Sequence, residues 1–239
     1  MIGAELCIMK PVAFLLLCIS LSARQTVPIP AAEVSLRKEI YQDTRVRVFL
    51  LDIPPGHATL LHRHDRDMLS VFVTGGRTRA VFNGGAPVDD TFAVGDVRFR
   101  SAGFTHSTEN RDTVNFLSVI FEFVEPQGER VALTRRATRT CAAGDRADCV
   151  EERPVLCTTK FCVDDVSLAP QAAREERATT TDRMMVAVSR YTLSEQSDGA
   201  TATIHDKKSG DVELITAGPA RRWTNTATTA ARYIVVSFR

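Results

Sequence analysis

"GHATLLHRHDRDM", residues 56–68, is the stretch on which the reading of this chain turns. Two histidines, His62 and His64, stand one residue apart and are followed by Asp67, in a run whose branched residues predict a β-strand. Side chains alternate across a strand, so His62 and His64 share a face with Ala58 and Leu60, while His57, Leu61 and Arg63 share the other. Two imidazoles on one face are either ligands of a metal ion or polar filling inside a barrel, and further ligands must come from elsewhere.

The surroundings read as β throughout. "RVRVFLLDI", "HATLLHRH", "MLSVFVT", "TRAVFN", "VRFRS" and "NFLSVIFEF" are short runs of branched and aromatic residues. Turn signals separate them: Pro54-Pro55-Gly56, Gly75-Gly76 and Asn83-Gly84-Gly85. The nearest thing to a helical period, "APQAAREERA", aligns with a strand when the chain is compared with itself.

That comparison finds an internal repeat at a constant offset of 115 positions, Asp67 falling on Asp182. "DMLSVFV" falls on "DRMMVAV", "GDVRFRSAG" on "GDVELITAG", Asn110 on Asn225 and "VIFEF" on "IVVSF". The organisation expected is a leader at 1–23, one unit at 24–138 and a second at 139–239. The leader, "KPVAFLLLCISLSARQ", has a cationic Lys10, an apolar core too short for a comfortable transmembrane helix, and small residues after it, the layout of a secretory signal peptide. Met9 precedes Lys10 and is an alternative start to Met1. Cys18 follows Leu17 where a lipoprotein cleavage site has a small residue, which argues against lipid attachment.

Composition excludes some functions. With 239 residues and a formal net charge of +1, nothing draws the chain to nucleic acid, or to an anionic membrane once the leader is removed. No phosphate loop or dinucleotide fingerprint is present. Cys141, Cys149, Cys157 and Cys162 form an even cluster in a chain read as exported, secreted or periplasmic, and so read as disulfides. Three pairings are open, of which the adjacent ones need the least rearrangement. A zinc site is the rival, disfavoured by the spacings and by the lack of a nearby histidine.

One family matches these patterns. Gly56 precedes His62-x-His64 by five residues; Gly95 is followed at fixed spacings by Ala102-Gly103, His106 and Asn110, with Ser101 where a proline is usual. Both stretches resemble the two sequence signatures of the cupin superfamily. The resemblance implies an all-β chain of two tandem cupin-type jelly-roll barrels, each wrapping a pocket. It also implies that His106 joins His62 and His64 inside the first barrel, where three neutral imidazoles suit a divalent Fe, Mn, Ni, Zn or Cu ion. Metal-binding cupins usually add a glutamate four or five residues after the second histidine; here Met68 and Leu69 stand there. Asp67 is the nearby carboxylate, with the strand parity of Leu69, and Glu122 is a second candidate acid or base. His57 and His205 are expected at the surface.

In the second unit the offset places Arg177, Thr179 and Arg221 at the three histidine positions, so that pocket cannot bind a cation in the same way. Arg177, Arg221 and Asp182 are expected to form a buried ion cluster or an anion site. Two functions follow. One is an exported, metal-dependent cupin acting on a small organic molecule as a dioxygenase, decarboxylase or isomerase. The other is a metal-free cupin that binds a small ligand or is structural. Edge-to-edge homodimers are a further expectation of the resemblance, although two barrels in one chain supply an internal version.

Overall fold

The structure is a computed structural model describing residues 27–141 and 149–239. The expected leader at 1–23 lies outside the described residues. Among those residues the regular structure is β, apart from one 3-10 turn at Ala31–Glu33. The segment "APQAAREERA" carries the strand Ala173–Glu176, as the repeat implies.

The first half forms two five-stranded sheets. One runs Arg37–Gln42, Val46–Ile53, Phe116–Phe123, Met68–Phe72, Val97–Arg100 in spatial order; the other runs Ile29–Pro30, His62–His64, Phe104–Asn110, Gly76–Phe82, Pro87–Phe92. The second half repeats the pattern. Its inner sheet runs Arg130–Val131, Cys149–Thr158, Phe161–Leu168, Ala231–Phe238, Arg183–Ala187, Val212–Ile215, with Thr138–Cys141 paired to Cys149–Thr158. Its outer sheet runs Ala173–Glu176, Arg221–Asn225, Tyr191–Ser197, Thr203–Lys207. Cys141 lies directly opposite Cys149, and Cys157 opposite Cys162, across antiparallel pairs. Both pairs are disulfide-bonded, the adjacent pairing.

Alternation along the inner strands explains why they read as almost unbroken apolar runs. Met68 and Phe72 point into the first barrel, whereas Leu69 and Val71 point away from it into a second core. Phe116 and Ile120 point in, and Val119, Phe121 and Phe123 point away. That second core is shared: the same cluster takes Phe161, Val163, Met184, Val186, Ile234, Val236 and Phe238 from the other half. The two inner sheets therefore pack face to face and are buried on both sides, which removes the polar alternation a half-exposed strand shows.

Conserved-offset contacts fasten this arrangement in both halves. Asn110 is fully buried and its Nδ2 donates to the carbonyls of Ile53 (2.8 Å) and Val114 (2.7 Å). Asn225 does the same at Leu168 (3.1 Å) and Thr229 (2.8 Å). Gly95 and Gly210 turn the chain in the left-handed region, at φ +80° and +89°. Each also meets the other half: Gly95 lies against Arg232, and Gly210 against Leu50 and Leu117.

The shared core makes unfolding cooperative. Phe161 is fully buried there and stacks on Phe123 at 4.9 Å. Phe161→Ala is expected to destabilise the protein by about 3–5 kcal/mol in urea titration. Trp223 fluorescence, local to the second half, and whole-chain circular dichroism should still report one coincident transition.

Candidate metal centre in the first barrel

The three histidines come together from two neighbouring strands. His62 pairs with His106 across the ladder between His62–His64 and Phe104–Asn110, so both imidazoles and that of His64 face the barrel interior. Only His62–His64 is strand, however; residues 57–61 leave the ladder after the turn at Gly56, touching it through one bridge from Ala58 to Glu109. The expected parity therefore fails upstream. Ala58 and Leu60 are exposed, and Thr59 is the residue that turns inward.

One candidate ligand nitrogen from each histidine lies within 4.8 Å of the others, and the Nε2 atoms of His64 and His106 are 3.1 Å apart. Their proton positions follow from their partners. His62 Nδ1 donates to the Leu60 carbonyl at 2.8 Å, since a carbonyl can only accept. His64 Nδ1 faces the Glu122 carboxylate at 3.4 Å, an ion-pair distance longer than a good hydrogen bond. His106 Nδ1 lies 3.2 Å from the Thr108 hydroxyl, which can accept. The Leu60 carbonyl fixes the tautomer of His62; with the protons of His64 and His106 on Nδ1 as well, all three Nε2 lone pairs are free for the interior. Two such lone pairs facing at 3.1 Å suit a cation between them: ligand bonds of about 2.1 Å at right angles put neighbouring ligand atoms roughly 3 Å apart.

Electrostatics keep these rings neutral. Burial pushes His62 down to about 4, outweighing the Leu60 hydrogen bond. Burial, then the neighbouring His62 and His64, pushes His106 down to about 2. His64 is also lowered, chiefly by burial, against the pull of Glu122.

Glu122 does point inward, but it lies behind His64 rather than in the cavity wall. Burial alone would push its carboxyl up; contact with His64 and the charge of Arg37 instead hold it at about 2. Arg37, buried over the Phe49 ring at 4.2 Å, donates to Glu122 at 2.9 Å and to the Ala31 carbonyl at 2.7 Å. The result is a relay of Arg37, Glu122 and His64 that orients one imidazole from behind. Nothing in the local sequence around Arg37 announces this role.

Asp67 does not reach the histidines. Its carboxylate accepts from the backbone N–H of Ala102 (2.8 Å) and of Gln127 (2.7 Å), and Leu69, which shares its parity, faces the shared core. Asp182 accepts from Ala217 N–H at 2.8 Å in the same way, and also pairs with Arg45 of the first half at 3.1 Å. Both aspartates are loop latches.

The cavity has a volume of about 80 Å³, with Leu51, Met68, Phe72, Phe116 and Ile120 in its wall beside the histidines. Asp90 is the carboxylate among the lining residues, and Arg98 holds it at 2.6 Å.

In the second barrel, Arg177, Asp182 and Arg221 do not converge. Arg177 is exposed because the halves pair differently here. In the second the register is unbroken from Ala173 opposite Thr224, through Glu176 opposite Arg221, to Thr179 opposite Gly218, whereas in the first one extra residue between Ala58 and His62 brings His62 opposite His106. Arg221 instead pairs with Glu195 at 2.9 Å and with Glu176 at 3.8 Å, and Glu176 also pairs with Arg183 and Arg174. His205, expected at the surface, is 8% exposed between Glu213 (2.9 Å) and Glu195 (3.0 Å). Those carboxylates, Glu213 foremost, raise its pKa. His57 is exposed as expected. The rest of this interior is filled by Trp223, Tyr191, Tyr233, Leu193 and Ile215.

Two tandem barrels of this form, with a histidine cluster inside the first, have the fold of the cupin superfamily, as a bicupin. No protein-family model matches the chain, and no curated protein matches it in sequence. Solved structures do match in fold. AerE from Microcystis aeruginosa is 10% identical, with a TM-score of 0.58 over 86% of this chain and 98% of its own. An oxalate decarboxylase–formate complex from Lactobacillus farciminis is 13% identical, with a TM-score of 0.56 over 82% of this chain and 77% of its own. A Bacillus subtilis oxalate decarboxylase with Mn(II) centres is 12% identical, with a TM-score of 0.55 over 82% and 69%.

The lowered histidines have a consequence for stability. His62 sits at about 4 when folded against 6.5 when free, so between those values the unfolded chain binds the extra proton. Its contribution is whole above pH 6.5 and is lost as pH falls towards 4. Urea titrations with a chelator present are expected to show a loss on the order of 2 kcal/mol from His62 alone between pH 7.5 and 4.5, and His62→Gln should flatten that slope.

Proposed function

We propose that the first barrel binds one divalent metal ion through the Nε2 atoms of His62, His64 and His106, with a small organic molecule in the adjoining cavity. The observation that carries this is the convergence of three neutral imidazoles in the barrel, with the Nε2 atoms of His64 and His106 facing at 3.1 Å and His62 Nδ1 bonded to the Leu60 carbonyl. The donor set is imidazole only, which suits Mn, Fe, Zn, Ni or Cu. Met68 and Leu69 supply no carboxylate, so Glu122 contributes from behind His64, where its charge strengthens the ring as a donor. When bound, such an ion would act as a Lewis acid or a redox centre, the basis for dioxygenation, decarboxylation or isomerisation of a small molecule. The Mn(II) centres and the formate named for the oxalate decarboxylases fit this reading.

Asp67 and Glu122 are positioning residues in this proposal, not proton carriers, because neither lines the cavity. The chain is read as exported, secreted or periplasmic: two disulfides fit an oxidising compartment, and no helix among the described residues is long and apolar enough to cross a membrane.

A metal-free small-ligand cupin is the second reading, favoured by one feature. The Thr108 hydroxyl can also donate to His106 Nδ1, which would let His106 Nε2–H bond to His64 Nε2 across the same 3.1 Å. Metal analysis separates the two. Protein purified from the exported fraction is expected to hold close to one metal ion per chain, and the His62→Ala/His106→Ala double variant to hold none. Equally negligible metal in both would leave the metal-free reading.

A further inference from the structure

The wall of the first-barrel cavity carries one cation that makes no ion pair among the described residues. Arg37 is paired to Glu122, and Arg98 to Asp90 at 2.6 Å. Arg100, at the end of the strand Val97–Arg100 and opposite Met68, also lines the cavity, yet makes no ion pair among the described residues. What holds it is aromatic: its guanidinium lies 4.6 Å from the centre of the Phe82 ring and 5.9 Å from that of Phe104. The same two rings touch the histidines, Phe82 stacking on His106 at 5.3 Å and Phe104 on His64 at 4.8 Å. Arginine and imidazoles thus open on one space, and Arg100 is half-buried there with the like charge of Arg98 and the opposite charge of Asp90 nearby, those two already paired with each other.

The second barrel provides an internal control. The position matching Arg100 holds Ile215, 5% exposed and packed into the apolar cluster of the second barrel. The second barrel instead carries its cation on the facing strand, where Arg183 lies opposite Ile215 and pairs with Glu176 at 2.6 Å. Arg100 has no carboxylate at ion-pair distance among the described residues, so the two barrels differ in what their arginine is left to hold.

We propose that Arg100 anchors the carboxylate of a small, chiefly apolar organic acid in the first barrel. The planar fork of a guanidinium matches a carboxylate through two parallel hydrogen bonds, and the Phe82 and Phe104 rings hold its plane. Met68, Phe72 and Ile120 line the same cavity, with Ser70, Thr78 and Ser118 among them, so the remainder of the ligand is chiefly apolar. A volume of about 80 Å³ limits it to a handful of heavy atoms. The inference rests on the cavity being a ligand site and names the class of molecule that fills it; it does not depend on a metal.

The test is calorimetric titration of the mature protein, chelator present, with isobutyrate and with isobutyramide, which has the same shape and no charge. Wild type is expected to bind isobutyrate and to discriminate against the amide. Arg100→Gln should weaken isobutyrate by roughly tenfold or more, the loss expected for hydrogen bonds to a charged group. Arg100→Lys, which keeps the charge but not the fork, should fall between the two and serves if Arg100→Gln does not fold. Equal binding of acid and amide, unchanged binding in Arg100→Gln, or tighter binding of inorganic phosphate than of isobutyrate would each overturn the assignment. Metal content is measured on the same preparations before chelator is added. Metal-free wild type that still discriminates would remove only the metal reading, whereas metal-loaded wild type without discrimination would remove only this one.

Discussion

Everything in this molecule depends on two sheets being buried on both faces. The strands Phe116–Phe123 and Ala231–Phe238 sit at the centre of their sheets, each sending alternate side chains into its own barrel and into the core between the barrels. Neither barrel could stand alone without exposing a broad face of valine, leucine and phenylalanine. This common wall fixes the rigid side of both cups. Function is left to the outer sheets and to the residues that face inward, where the chain is free to vary its contents.

The two interiors show how far that freedom extends. The first holds a modest apolar cluster and leaves a hollow beside three imidazoles; the second closes over Trp223, two tyrosines and a chain of ion pairs. One pair of positions makes the divergence concrete. Asp90 and Arg98 form an ion pair in the first barrel, and their offset partners, His205 and Glu213, form one in the second with the signs exchanged. The interaction is retained although neither residue type is. Burying so many charges is tolerable in the second barrel because nearly all are matched, while removing any one member would strand its partner away from water.

Much of this was legible in the residues. The constant offset, the alternating runs and the glycine–histidine spacings led to two all-β barrels and to His62, His64 and His106 as a cluster. What escaped has physical causes. The strands Pro87–Phe92 and Phe104–Asn110 went unread because they are polar, one largely exposed and the other half-buried along most of its length. Arg177 was placed inward because a constant offset assumes a common strand register, and the one-residue bulge before His62 in the first half has no counterpart in the second. The parity drawn through Ala58 and Leu60 failed for a related reason: alternation holds only where the ladder is continuous. Glu122 and Arg37 are far apart in sequence and meet only through the pairing of their strands with Val46–Ile53, which no local pattern encodes.

The paired asparagines carry a last implication. Asn110 and Asn225 clamp equivalent carbonyls a fixed distance along the chain from themselves, and Asp67 and Asp182 hold equivalent amides. The partners these clamps have in common are backbone groups, so the clamps are indifferent to whatever side chains fill the bowl beside them. After duplication, one copy was therefore at liberty to silt up while its twin stayed open, and neither had to renegotiate the frame that both still wear.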